Sequence, residues 1–277
     1  MKRYLVRDMT MSLLPYDRSD SLQGDDSNAG SSSLDKASIS LPLHVSREKL
    51  QIPALGDLLD RPRVNSLLSN SEQQYPATLM CGRSGTGKTA LAARFALSRK
   101  NSAWYSLEPP DADWRSFAFG ALSSFRGKQA LTARTWRSID GTKRPNKEKI
   151  DRFLETLFRP KRSLPSLFIL DNVHYLFDAE WLKELFDQFF ASIPASTHVL
   201  MLSRSKPPNP LWRLRSKQFL NVIDERIFAF NEAETIQLFD SFGLSSSIAL
   251  QAHRYCFGKV SDLTSLCRSM TKDLSVR

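Results

Sequence analysis

Eight consecutive residues, Gly82-Arg83-Ser84-Gly85-Thr86-Gly87-Lys88-Thr89, concentrate the features needed to hold a chain of phosphates. Gly82, Gly85 and Gly87 let the backbone turn with positive φ and aim successive amides at anionic oxygens. Lys88 adds a cation able to bridge terminal phosphates, and the Thr89 hydroxyl is a hard oxygen suited to Mg2+. The run fits the Walker A pattern at every fixed position. Its setting agrees. The apolar run Ala77-Thr78-Leu79-Met80 before it reads as a buried strand, and TALAARFALSR after it has helical spacing. The positive end of that helix would face the same phosphates.

A phosphate-bound Mg2+ needs an acid at the end of a neighbouring strand. Ser166-Leu167-Phe168-Ile169-Leu170 is a continuous apolar run that ends in Asp171, the Walker B candidate, so Thr89 and Asp171 form the expected metal pair. The next residue is Asn172. An amide can orient a water but cannot take its proton, so hydrolysis is expected to be slow, or to draw on His174 or Glu180. The strand His198-Val199-Leu200-Met201-Leu202 runs into Ser203-Arg204, and Arg204 at its tip is the candidate sensor of the terminal phosphate. Asp171, Asn172 and Arg204 are therefore the candidate catalytic residues. Arg61 and Arg63 are weaker candidates for the base or sugar. Trp104 and Trp114 read as packing residues, and Glu108 and Asp111 sit in a proline-containing loop with no visible partner.

The elements that position these residues alternate. Further strands are expected at Ala103–Leu107, Ser166–Leu170 and His198–Leu202. Helices are expected at WRSFAFGALSSF, Lys147–Phe158 and Asp178–Ile193, and a short helix pair around Pro62. Such alternation implies an α/β fold, a parallel sheet covered on both faces by helices. From about residue 228 the pattern is helical only, which marks a small C-terminal helical lid. The expected organisation is a disordered tail over 1–40, rich in Ser, Asp, Gly and Asn, a core over 41–227, and a lid over 228–277.

Composition narrows the classes further. Hydrophobic residues make up 41% and charged residues 25% of 277, as in a globular protein. No apolar run reaches the roughly 18 residues of a membrane span, and the N-terminus does not read as a secretory signal, so a cytoplasmic location without membrane contact is expected. Cys81, Cys256 and Cys267 show no metal spacing and read as reduced thiols. The net charge is +10, and residues 126–162 hold twelve Lys or Arg against four acids, a net +8. Such a segment suits either a solvated helical face or a nucleic-acid partner.

Several downstream segments resemble the NTPase domain of MalT-like regulators in the STAND class. WYSLEPPDADWRSF is similar to the segment after the family's P-loop. Leu170-Asp171-Asn172-Val173-His174, Ile193-Pro194, Ser203-Arg204, Pro207-Pro208 and Leu211-Trp212-Arg213-Leu214-Arg215 stand where the family places its Walker B strand, a turn, a strand end, a proline pair and a basic stretch. FAFNEAETIQLFDSFGLS resembles the family's helical portion. The resemblance covers roughly residues 41–270. It implies ATP as the nucleotide, with Mg2+, and a switch whose ATP-bound form is the active, often self-associating one. It carries Lys88, Thr89, Asp171 and Arg204 over to phosphate, Mg2+, Mg2+ and terminal-phosphate sensing. Two departures stand out: Asn172 replaces the usual second acid, and Phe257-Gly258-Lys259-Val260 lacks the family's proline after glycine. The family's sensor repeats and helix-turn-helix are expected to be missing from a chain that stops at Arg277. The expected function is thus an ATP-binding, slowly hydrolysing switch working through protein partners or self-association. Two alternatives stay open: an AAA+-like ATPase that handles nucleic acid, and a relative that binds nucleotide without turnover.

Overall fold

Five strands, β1 (Ala77–Cys81), β2 (Ser102–Ser106), β3 (Leu167–Asp171), β4 (His198–Ser203) and β5 (Leu220–Asp224), form one sheet in the order β2-β3-β4-β1-β5. Every pairing is parallel. The structure, a computed structural model, describes residues 45–56, 59–127, 132–139, 145–160 and 164–275. The tail expected over 1–40 lies outside them, as do Lys128, Lys143, Arg144, Lys161 and Arg162 of the basic segment.

Strand period two sorts the side chains between two cores. Leu79, Phe168, Leu170, Val199 and Met201 face one cluster; Met80, Leu167, Ile169, Leu200 and Leu202 face the other. The first face is covered by α3 (Trp114–Arg126), α4 (Ala133–Ile139), α5 (Lys147–Phe158), α6 (Leu182–Ser192) and α7 (Asn209–Ser216), and is rich in rings. Trp114 sets its edge against Phe153 and Trp181 at 5.2 and 5.4 Å between centroids. The second face is covered by α1 (Pro62–Gln74) and α2 (Lys88–Leu97) through Val64, Leu68 and Phe95. Burying both faces explains why β1, β3 and β4 read as continuous apolar runs.

A line of side-chain hydrogen bonds crosses the sheet from its β5 edge. Asn221 Nδ2 donates to Ser71 Oγ of α1 at 2.8 Å, Ser71 and Thr78 hydroxyls meet at 2.6 Å, and Thr78 Oγ1 lies 3.0 Å from His198 Nε2. His198 Nδ1 in turn lies 2.9 Å from the carbonyl of Tyr75.

Three expectations change. The pair of helices around Pro62 is a single helix that starts at Pro62, where the missing N–H costs nothing. β5 and the helices α4 and α7 were not expected; in β5 the polar Asn221 interrupts the apolar pattern, yet it is spent in the line just described. Asp111 has partners after all: it is buried, accepts from Tyr105 Oη at 2.8 Å and from the Glu108 amide, and pairs with Lys49.

Beyond the short α8 (Glu225–Phe228) come α9 (Glu232–Ser241), α10 (Ser246–Cys256) and α11 (Val260–Ser275). Phe228 still packs in the sheet core, whereas Phe230, Phe239, Leu244, Leu263 and Cys267 build a separate helical core. The three cysteines are free, and burial pushes the Cys81 and Cys267 thiols up to about 11, so both stay protonated at neutral pH.

Candidate nucleotide-binding site

All five strands end on one edge of the sheet, and a parallel sheet presents its ligand site there. Cys81 of β1 leads into the glycine-rich loop, Asp171 closes β3, Ser203 closes β4 and Asp224 closes β5. Because β4 lies between β1 and β3, its tip stands between the loop and Asp171.

The loop is held by its own atoms. Gly85 and Gly87 have φ of 80° and 86° and carry the chain into α2, whose first amides have no acceptor within the helix. Thr86 Oγ1 donates to the Arg83 carbonyl at 2.9 Å. Lys88 is buried and its Nζ donates to the carbonyls of Gly82 and Arg83 at 2.5 and 2.9 Å, and to Thr86 Oγ1 at 3.1 Å. Burial lowers the Lys88 pKa, against which the charges of Asp171 and Glu225 work. Ser84 is exposed on the outer turn.

Thr89 Oγ1 lies 3.1 Å from Asp171 Oδ2, so the hydroxyl and the carboxylate share one point at the mouth of the loop. Burial raises the Asp171 pKa; the Thr89 hydroxyl and the Asn172 amide, 2.8 Å from Oδ1, pull it back. A hydroxyl and a carboxylate are both hard oxygen donors, and they fit Mg2+, which keeps several waters of its own. Among the described residues no cluster of three or more His, Cys, Asp or Glu could hold a metal otherwise. Asn172 adopts φ 61°, ψ 37°, a left-handed conformation that asparagine tolerates, and so starts the turn that carries His174. The Arg204 amide donates to His174 Nδ1 at 3.4 Å, while the Arg204 side chain is exposed. Arg204 acts electrostatically on Lys88, Asp171 and His174.

Three further contacts with the loop have no local signature in the sequence. Glu225, the first residue of α8, accepts from the Arg83 amide at 2.8 Å and pairs with the Arg83 guanidinium at 3.0 Å. That amide holds the Glu225 carboxyl below the usual range. From the helical part, the Ser261 amide donates to the Gly85 carbonyl at 3.0 Å, and Val260 lies against Gly87. Arg61 and Arg63, expected near the base or sugar, converge on Glu234 of α9: Arg61 Nη2 and Arg63 Nη2 lie 2.9 and 3.0 Å from Oε2. Arg61 also donates to the Phe228 and Ala229 carbonyls. Of these residues only Asn231 and Glu234 carry a local signature, a capping box that says nothing of the pairing with Arg61. Arg61 nonetheless lines a cavity of about 50 Å³ with Gly87, Leu91, Phe230 and Val260.

A sequence model of the AAA domain family matches residues 71–202, from the end of α1 to the end of β4, and so includes both Lys88 and Asp171. The chain is 26% identical over 213 residues to the HTH-type transcriptional regulator MalT of Vibrio parahaemolyticus, covering 74% of the chain and 23% of that protein. It is 26% identical over 192 residues to MalT of Vibrio cholerae, covering 67% and 20%. The chain carries a MalT-like P-loop NTPase domain. Its fold is that of a STAND (Signal Transduction ATPase with Numerous Domains) protein with a tetratricopeptide repeat sensor from Pyrococcus horikoshii, at a TM-score of 0.52 and 17% identity over 75% of this chain and 29% of that one. The MalT-like domain thus spans about a fifth of the curated relatives it matches. Among its described residues no helix is long and apolar enough to cross a membrane.

Gly258 of this MalT-like domain allows a sharp test of how the helical part is seated. Its φ is +72°, its carbonyl accepts from the Phe230 amide at 2.9 Å, and a Cβ there would meet the Phe230 carbonyl oxygen. Gly258→Ala is expected to destabilise the helical part by roughly 2 kcal/mol. Limited proteolysis should show α9–α11 cut earlier than α1–α6.

Proposed function

We propose that this domain is an ATP- and Mg2+-dependent switch that hydrolyses slowly and acts through protein partners or self-association. The observation that supports this best is the contact between the helical part and the loop itself, Ser261 amide to Gly85 carbonyl, beside the Arg61–Glu234–Arg63 network. A ligand that shifts the loop backbone on seating would move the Gly85 carbonyl held by Ser261, and so act on α11.

In this reading Gly82, Arg83, Ser84, Gly85, Thr86 and Gly87 supply the cradle, and Lys88 leaves its loop carbonyls to meet the terminal phosphates. Thr89 and Asp171 hold Mg2+, which when bound neutralises phosphate charge and orients it. The cavity beside Gly87 would take the base. At about 50 Å³ it is far below the roughly 300 Å³ of a ligand pocket, so base entry requires the helical part to move outward. Slow turnover follows from Asn172: its amide group donates and accepts but takes no proton from an attacking water. Burial lowers the His174 pKa, and the Arg204 amide occupies its Nδ1, which leaves that nitrogen unable to serve as a base. Arg204 is the proposed reporter of the terminal phosphate, and a cytoplasmic location belongs to the same proposal.

The test is binding of ATP, ADP and GTP with and without Mg2+, read by titration calorimetry, with light scattering on the same samples. Mg2+-dependent ATP binding accompanied by a change in mass supports the switch. Rapid steady-state turnover with no change in assembly would overturn it. Asp171→Asn is expected to lower the Mg2+ enhancement of ATP affinity at least about tenfold while leaving Mg2+-free binding in place.

A further inference from the structure

The tip of β4 opens a stretch of surface in which exposed cations stand together without acids. Between Asp187 and Asp224 the sequence has no acid, while Arg204, Lys206, Arg213, Arg215 and Lys217 supply five cations within fourteen residues. All five are exposed. None has a carboxylate within ion-pair distance among the described residues, unlike Arg83, Arg94, Arg99, Arg152 and Lys259, which are paired. An uncompensated cluster of this kind raises the local potential and attracts a polyanion.

The same surface carries an indole that the fold does not use. Leu211 and Leu214 bury α7 against the sheet, whereas Trp212 on the opposite side is 38% exposed. The other four tryptophans are 0–3% exposed. The Arg215 guanidinium lies 5.7 Å from the Trp212 ring centroid, so a cation and a flat apolar ring stand side by side on one helix face. Cations track a phosphate chain, and an exposed ring beside them gives an unpaired base a platform; a duplex hides its base faces and would leave the ring unused. An acidic protein would satisfy the charges, whereas a single strand supplies anions and flat rings together in each repeating unit.

We propose that the solvent face of α7 and the loop from Arg204 to Pro208 bind single-stranded nucleic acid, with Lys206, Arg213, Arg215 and Lys217 on phosphates and Trp212 stacked on a base. The surface starts at Arg204, so an occupied strand would lie beside the nucleotide site. The inference does not depend on the switch reading above.

Fluorescence anisotropy of a labelled oligothymidylate of about 20 nucleotides tests it on the full chain, across a salt series. Each phosphate contact contributes about −0.7 to the slope of log K against log salt, so four give roughly −2.8. The quadruple variant Lys206→Gln, Arg213→Gln, Arg215→Gln, Lys217→Gln should lose that slope and most of the affinity at about 50 mM salt. Trp212→Ala, with every charge kept, should weaken oligothymidylate by about 5–150-fold and a duplex of equal length far less. Circular dichroism and nucleotide binding of both variants should match the parent, since none of these residues belongs to the nucleotide site. No oligothymidylate binding by the parent chain, or an unchanged slope in the quadruple variant, overturns the proposal. So does equal sensitivity of duplex and single strand to Trp212→Ala, or displacement of the strand by polyglutamate of equal charge, which would identify an acidic protein as the occupant.

Discussion

Lys88→Ala is expected to weaken Mg2+-ATP binding by about 30–150-fold, the equivalent of 2–3 kcal/mol for a lost charge-assisted hydrogen bond. The amine is 7% exposed and held 2.5–3.1 Å from three oxygens of its own loop, so it is poised where phosphate oxygens would arrive. Its charge is partly spent on those carbonyls, and phosphates must outbid them, which keeps the net effect moderate. Titration calorimetry with ATP, ADP and GTP checks the result, and thermal melting serves as the control. The Arg83 carbonyl keeps the Thr86 hydroxyl as its donor, and Gly82 is only half-buried, so the melting temperature should move little. ATP affinity equal to the parent's would place the phosphates elsewhere.

The second large effect concerns stability. Glu234→Ala is expected to cost about 3–5 kcal/mol, because it leaves the Arg61 guanidinium, 4% exposed, without its anionic partner. For a domain of this size that corresponds to a fall of roughly 6–20 °C in melting temperature. Arg61 keeps the Phe228 and Ala229 carbonyls, which places the loss toward the lower end. Burial alone would raise the Glu234 pKa, but the Arg61 and Arg63 guanidiniums and the Asn231 amide outweigh it and hold the carboxyl below its ordinary value of 4.5. A carboxylate depressed in the folded state stabilises fully above its unfolded pKa and fades as pH falls through the folded one. Below about pH 4.5 the Glu234 contribution is lost, so the melting temperature should fall more steeply there in the parent than in Glu234→Ala. Identical pH profiles for parent and variant would remove Glu234 from that role.

The parallel α/β architecture was legible because β1, β3 and β4 are buried on both faces and so carry uninterrupted apolar runs. β5 was not: it is an edge strand, and Asn221 and the half-buried Val222 break its pattern. Missing β5 concealed Glu225, since only the strand's end places that carboxylate over the Arg83 amide. The loop residues, Asp171 and Arg204 could be singled out because their chemistry depends on local type and spacing. The pairing of Arg61 and Arg63 with Glu234 spans more than 170 residues, and nothing local to either end encodes it. The Ser261 contact is equally silent, being made by a backbone amide whose position depends on how α11 is seated.

The line of hydrogen bonds across the sheet also has a polarity. If His198 Nδ1–H donates to the Tyr75 carbonyl, then Nε2 must accept from Thr78, Thr78 from Ser71, and Ser71 from Asn221. Every hydroxyl points the same way, from the β5 edge toward β4, and reversal would leave the Ser71 hydroxyl with no acceptor in the line. The array is therefore directional and favours neutral His198, whose pKa burial already lowers from 6.5. The unfolded chain takes up that proton first, so acidification below about pH 6.5 draws on the joints between β1, β4 and α1 well before the carboxylates titrate.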